Sequence, residues 1–307
     1  MTPTKISRTP KVQNPALGVF WMVVTGLLFV AVTGVVRHVG TDLPAAQAAF
    51  MRYVLGLVFL LPMIRPILAA RLERRDWVVF GLRGLAHTGG VILWFYAMAR
   101  IPIAEVTALN YMAPVYVTLG AVLVLGEKMA LRRLVAIAAA QVGALVILRP
   151  GFRDLSDGHY AMIFAAMGFG LSYLLAKVAA DRVSPAVVVG MLSVAVTIGL
   201  APFAWAVWVP PSPGQVGWMF LLAILATAGH YTMTLAFSVA PMTVTQPVTF
   251  LQLVWATALG ALVFGEAVDE MVILGGAIII GAISYMTWRE AMLKRRVVAP
   301  PHVATKV

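Results

Sequence analysis

The sequence predicts an all-α polytopic membrane protein, with ten transmembrane helices arranged as two inverted five-helix repeats. Three observations carry this expectation. The chain has 307 residues, of which 61% are hydrophobic and only 11% charged, whereas a soluble protein carries about 25% charged residues. The apolar residues gather in long runs such as 17–36, 115–125 and 134–148, broken by short polar stretches, and a spanning helix needs roughly 20 mostly apolar residues. The second half also repeats the first. Moved by 139 positions without a gap, Pro102 falls on Pro241, Val115 on Val254, Thr118 on Thr257 and Gly126-Glu127 on Gly265-Glu266. Upstream, Thr88, Gly90 and Ala97 fall on Thr227, Gly229 and Ala236.

The first span covers about 17–36. Its length and the nine runs after it mark a retained anchor rather than a cleaved signal peptide. The second, 45–65, follows Leu43-Pro44 and contains Arg52. The third, 77–99, sets Arg83, His87, Gly90 and Trp94 on one face through i, i+4, i+7, i+11 spacing. The fourth, 102–125, carries Glu105, Thr107, Asn110, Pro114 and Thr118. The fifth, 131–148, stops at Arg149-Pro150-Gly151. The sixth, 160–180, holds Tyr173. The seventh, 186–208, opens after Ser184-Pro185 and ends before the Pro210–Gly214 breaker run. The eighth, 215–238, holds His230 and Tyr231, the ninth, 241–264, holds Thr245, Gln246, Thr249 and Gln252, and the tenth spans 268–288. The chain thus divides into a tail (1–16), a first repeat (17–148), a linker (149–159), a second repeat (160–288) and a basic tail (289–307).

Lys and Arg in short loops favour the cytoplasm. With the N-terminus inside, 17 bases fall on cytoplasmic segments and four (Arg37, Arg100, Arg149, Arg153) on outer ones, while Arg52 and Arg83 lie within spans. Both termini are therefore expected in the cytoplasm, with the chain in the inner (plasma) membrane. Five spans per repeat is an odd number, so the second repeat enters from the opposite side. The flanking charges agree: Lys128, Arg132 and Arg133 follow Gly126-Glu127, whereas Asp269 and Glu270 follow Gly265-Glu266.

The net charge of +11 does not indicate nucleic acid, because the bases sit in short loops and tails. There is no Cys, which excludes disulfides and thiolate chemistry. No nucleotide-binding loop appears, and no His/Asp/Glu cluster has metal spacing, so neither metal nor cofactor is expected and the chain does not read as an enzyme. The expected surroundings are the lipid bilayer and a small-molecule substrate. No signal fixes an oligomeric state, and a monomer suffices for the fold.

Three stretches carry a family resemblance: "FMRYVLGLVFLLP" (50–62), "WFYAMARIPIAEVTALNYMAPVYVTLGAVLVLGEKMALRRLVAIAAAQVGALVIL" (94–148) and "LAFSVAPMTVTQPVTFLQLVWATALGALVFGEAVDEMVILGGAIIIGAI" (235–283). The chain resembles the drug/metabolite transporter superfamily, specifically its ten-helix EamA type. The second copy departs from the first at Leu253, which stands opposite Pro114, and at Ser193, roughly opposite Arg52. The resemblance implies a secondary transporter of small organic metabolites working by alternating access. Export of an amino acid or related metabolite is the leading expectation. S-adenosylmethionine-type uptake and a passive channel are the alternatives.

Ionisable groups inside a membrane are costly and mark candidate sites. Arg52 and Glu105 lie at comparable depth and are expected to pair, either as a clamp or as a gate. Arg83, His87 and Trp94 are expected to line a cavity together with Tyr173 and His230. Asn110 and its repeat mate Thr249, with Gln252 beside it, are expected at a midplane site between the repeats. Pro114 withholds an amide and frees a carbonyl near Asn110, a candidate hinge. Gly126-Glu127 and Gly265-Glu266 read as turn chemistry, and Arg37 and Lys177 as helix-end anchors.

Overall fold

The computed structural model describes residues 14–113, 115–117, 119–120, 131–150, 152, 154–180, 182–239, 248–249 and 251–298. Its helices are α1 (Pro15–Val39), α2 (Ala45–Gly56), α3 (Ile64–Ala69), α4 (Arg74–Met98), α5 (Ile103–Asn110), α6 (Leu131–Leu148), α7 (Asp157–Ala180), α8 (Pro185–Ala206), α9 (Pro213–Val239), α10 (Leu251–Phe264) and α11 (Glu270–Val298). The 139-residue offset carries the start of α4 onto the start of α9 and the start of α6 onto that of α11.

Local sequence explains the boundaries. Asn14 caps α1 by accepting the Leu17 amide at 3.1 Å, and Pro15 follows at the first helical position. Glu73 and Asp76 form a reciprocal capping box on α4. The second span differs from the single helix expected over 45–65. α2 gives way to a 3₁₀ segment at Leu57–Met63 before α3 begins. Pro62 and Pro66 remove two amides from any continuous α ladder there. The fourth span breaks at Tyr111 and Met112 and turns helical again at Ala113. A missing amide at position 114 would free the carbonyl at that level, but Pro114 itself lies outside the described residues. The tenth span runs ten residues further than expected, to Val298.

Each repeat packs on the other crosswise. α1 of the first repeat lies along α9 of the second, and α4 lies along α7. These two pairs are repeat mates. The inversion is visible in which ends meet. The C-terminal end of α1 touches Glu266 between α10 and α11, and the N-terminal ends of α5 and α7 meet through Glu105 and His159. Thus α7 begins at the end where its mate α1 finishes. A second seam joins α6 to α11, where Gly143 and Gly275 face each other so closely that a Cβ on Gly275 would lie 2.5 Å from the Gly143 carbonyl oxygen. Only glycine permits that approach.

The outside is apolar. Leu85, Phe203, Leu262 and Val263 are among the large side chains that face outward, as a hydrocarbon solvent requires. Five helices are long and apolar enough to cross a membrane by length and composition, at 16–39, 74–98, 157–176, 187–206 and 213–233, and shorter apolar helices accompany them. Trp77, Trp205, Trp208, Trp218 and Trp288 are exposed near span ends, where amphipathic rings suit the headgroup layer.

Candidate functional site

A cavity of about 290 Å³ lies between the α1–α9 and α4–α7 pairs, near the low end of the roughly 300–1,000 Å³ usual for small-molecule sites. The sequence-predicted residues Arg52, His87, Trp94, Asn110, Tyr173, His230, Thr249 and Gln252 all line it. Arg83 does not. It is 6% exposed and donates through Nη1 to the Val188 carbonyl at 2.8 Å, tying α4 to α8 behind the cavity.

The expected Arg52–Glu105 ion pair does not form, which corrects the reading of these two as partners. The Arg52 guanidinium lies 4.0 Å from the Tyr53 ring centroid. Among the described residues no carboxylate is within ion-pair distance of it. Glu105 meets Nε2 of His159 at 2.7 Å instead, both side chains being under a tenth exposed. The Ser156 amide donates to Nδ1 of His159 at 3.0 Å, so a neutral ring carries its proton on Nε2, facing Glu105. Arg52 stands seven residues into α2 and faces the cavity, whereas Glu105 stands two residues into α5 beside the start of α7, so the expected common depth does not hold.

His87 joins three helices, with Nδ1 3.1 Å from the Ser172 hydroxyl on α7 and Nε2 3.0 Å from the Tyr53 hydroxyl on α2. Its ring lies 5.2 Å from that of Phe169, and Phe169 stacks on Tyr173 at 6.4 Å. Across the cavity, Phe29 meets His230 at 5.2 Å. The Thr25 and Thr232 hydroxyls share a hydrogen bond of 2.8 Å, and the Tyr111 hydroxyl donates to the Thr249 carbonyl at 3.1 Å. Asn110 Oδ1 is buried with no hydrogen-bond partner, so it can accept a bond from a bound molecule.

Among the described residues, the cavity wall contains seven aromatic rings (Phe29, Tyr53, Trp94, Phe95, Tyr111, Phe169 and Tyr173), two imidazoles and one guanidinium, and no Asp or Glu. Sequence reasoning missed Tyr53, Phe29, Phe169 and His159. Phe29 and Phe169 were detectable in principle, since they lie 140 positions apart, one beyond the repeat offset.

Arg37 and Glu266 also do more than anchor and turn. They pair at 2.8 Å across the repeats. Arg37 donates further to the Met98 carbonyl at 3.0 Å, and Glu266 accepts the Ile103 amide at 2.9 Å. Gly265, at φ +65, takes the left-handed turn that presents Glu266. The matching Gly126-Glu127 lies outside the described residues.

Crosswise-packed inverted repeats around a polar, aromatic central cavity define the architecture of a secondary transporter. The matches to known proteins agree. Residues 16–149 and 157–288 each match the EamA-like transporter family, and the chain belongs to that family. It is a multi-pass membrane transporter of small metabolites, not an enzyme. It is 30% identical to a riboflavin transporter of Rhizobium johnstonii, covering 96% of this chain and 98% of that one. It is 28% identical to a riboflavin transporter of Vibrio cholerae (92% and 97% covered). An S-adenosylmethionine uptake transporter of Rickettsia prowazekii is 25% identical (83% and 86% covered). A solved structure described only as the crystal structure of a protein superposes with a TM-score of 0.57 at 18% identity, covering 93% of this chain and 99% of that one, a likeness of fold.

Proposed function

We propose that the chain moves a flat, ring-containing metabolite of neutral or anionic charge through the central cavity by alternating access, with riboflavin as the first compound to test. The observation that carries this reading is the cavity wall: among the described residues, seven aromatic rings and one guanidinium with no acidic side chain. Aromatic faces take a planar ring by stacking. Arg52, Asn110, Thr249 and Gln252 offer donors and acceptors to its polar edge. A sulfonium such as S-adenosylmethionine would instead bring positive charge beside Arg52 with no carboxylate to offset it. A second reading, export of an amino acid or related metabolite, rests on Arg52 as the partner of a carboxylate. On the same model both termini face the cytoplasm, as the 17-to-4 division of bases supports.

The test is counterflow in proteoliposomes. Vesicles preloaded with riboflavin should accumulate labelled riboflavin saturably, which separates a carrier from a passive channel. Arg52→Gln should lower affinity about ten-fold or more, the usual worth of a hydrogen bond to a charged group, and His87→Ala should slow exchange. If S-adenosylmethionine exchanges while riboflavin does not, the preference for a neutral or anionic ring fails; if tryptophan exchanges while riboflavin does not, riboflavin is overturned in favour of an amino acid.

A further inference from the structure

The wall of the cavity is built twice. Gly90 on α4 and Gly229 on α9 are repeat mates at the 139-residue offset, and each has a phenylalanine ring seated where its side chain would be. A Cβ on Gly90 would lie 3.0 Å from the Phe169 ring, and one on Gly229 would lie 2.9 Å from the Phe29 ring. Phe29 and Phe169 come from the mated helices α1 and α7. Each ring then meets an imidazole at the same 5.2 Å, His230 for Phe29 and His87 for Phe169. Both rings and both imidazoles line the cavity, while the two glycines sit behind them. The imidazoles do not match under the offset, for His230 corresponds to Val91, so the shared element is the glycine and its ring.

We infer that Gly90 and Gly229 are specificity-determining residues that set the width of the substrate slot, by letting Phe169 and Phe29 sit back on α4 and α9 as the two faces of a ring clamp. This rests on the reading of the cavity as the transport site and names what makes that site selective for a planar ring. The physical reason is the contact distance. A Cβ 2.9 Å from the Phe29 ring is closer than real Cβ atoms come, and one 3.0 Å from the Phe169 ring is tighter than nine in ten real contacts, so each ring must give by a few tenths of an ångström. Helix backbone stands behind the ring's seat, and the cavity is the open side, so the slot narrows. One misplaced methyl-sized group in a substrate pocket changes discrimination by roughly ten- to two-hundred-fold. Two mated glycines should therefore act alike, one on each side of the substrate.

The experiment compares Gly90→Ala, Gly229→Ala and the double variant with Gly89→Ala, whose added Cβ meets nothing within 4 Å. Alanine raises helix propensity over glycine, so a loss of binding does not come from a weaker helix. Thermal unfolding checks this. Affinity is read by quenching of riboflavin fluorescence and by intrinsic fluorescence with tryptophan as a second ring probe. The expected result is a rise in riboflavin Kd of about ten-fold or more for each single variant, with the two rises similar and multiplying in the double, and no change for Gly89→Ala. Phe169→Leu and Phe29→Leu, which remove a face without crowding the helix, should weaken riboflavin binding by similar factors. Wild-type affinity in either alanine variant, or an effect from one side alone, overturns the clamp. A wild-type protein that binds tryptophan and not riboflavin overturns the riboflavin reading and leaves the alanine series to decide the clamp. A wild-type protein that binds neither overturns both.

Discussion

The two ends of the molecule are fastened differently. At the end where α1 finishes, four polar ties join the first repeat to the second: Arg37–Glu266, Glu105–His159, Arg149–Asp269 and the Gln47 side chain, which makes two hydrogen bonds with Val209 backbone. The Glu105–His159 pair and Gln47 are buried, and Glu266 nearly so. At the opposite end, the described ties are the Asn14 amide on the Val239 carbonyl, the grip of Arg182 on Glu73 and Asp76, and the buried Arg83 side chain donating to the Val188 carbonyl. Glu73 there is 73% exposed. Alternating access needs one end to part while the other holds. The difference shows which end holds in this structure. Buried ties cost several kcal/mol when one partner is lost, whereas exposed ones contribute about 0–1 kcal/mol. In the proposed orientation, with both termini in the cytoplasm, these ties would lie on the outer side and form a shut outer gate.

The largest effect should come from breaking that gate at its most connected residue. Glu266→Ala removes the partner of Arg37 and the acceptor of the Ile103 amide together. A loss of about 3 kcal/mol is expected, the low end for a broken buried pair, because Arg37 keeps its carbonyl partners. Glu266→Gln, which can still accept the Ile103 amide, should lose less. The chain has no cysteine, so a single Thr33→Cys on the cavity wall, where the side chain is buried, reports access from this end directly. Its labelling by a membrane-impermeant thiol reagent in intact cells should accelerate in the Glu266 variants. Unchanged labelling and unchanged melting would show that the gate lies elsewhere.

Next in size is the α6–α11 seam, which belongs to neither end. Gly143 and Gly275 oppose backbone to backbone, and a Cβ on Gly143 would lie 2.7 Å from the Gly275 carbonyl oxygen. Backbone cannot step aside as a flexible side chain can. Gly275→Ala should therefore cost about 1–3 kcal/mol, the range for overpacking. Gly281→Ala on the same helix, where nothing lies within 4 Å, should cost nothing measurable. If the seam is a fixed support while the ends alternate, Gly275→Ala should lower thermal stability without changing the labelling rate at position 33. A shift in that rate would mean that the seam moves with the gate.

Much of this was legible in the sequence. Apolar length gave the spans, the 139-residue offset gave the repeat, and eight of the residues singled out for a site do line one cavity. Spacing succeeded where it concerned one helix, as with His87 and Trp94. It failed between helices: Arg52 faces the cavity seven residues into α2, while Glu105 meets the start of α7 two residues into α5. The same limit hid His159, which gained its meaning only when the start of α7 came to rest beside α5. Arg83 shares the His87 face by periodicity, yet one helical turn lower that face meets α8 rather than the cavity. Glu266 looked like turn chemistry because a Gly-Glu pair is a sound local signal, and its long-range partner Arg37 lies in the other repeat.

The smallest effect is expected at the opposite end. Arg182 reaches Asp76 at 2.7 Å and Glu73 at 2.5 Å. The two carboxylates hold its guanidinium pKa above the usual arginine value by hydrogen bonding first and charge second, so the tie stays charged at every working pH. Arg182 and Glu73 are solvent-facing, Asp76 is buried, and both acids are already engaged in capping α4, so Asp76 keeps the Glu73 amide as a partner without Arg182. Arg182→Gln should therefore leave thermal stability within about 1 kcal/mol of wild type. The remaining effect should shrink as salt rises toward 1 M, where screening reaches ~3 Å. The Glu266→Ala loss should persist at that salt, because its partners are mostly out of solvent. Two melting curves per variant, at low and high salt, decide it. An Arg182 variant as damaging as Glu266→Ala, and equally insensitive to salt, would show that the two ends are fastened alike and that burial does not decide which one opens.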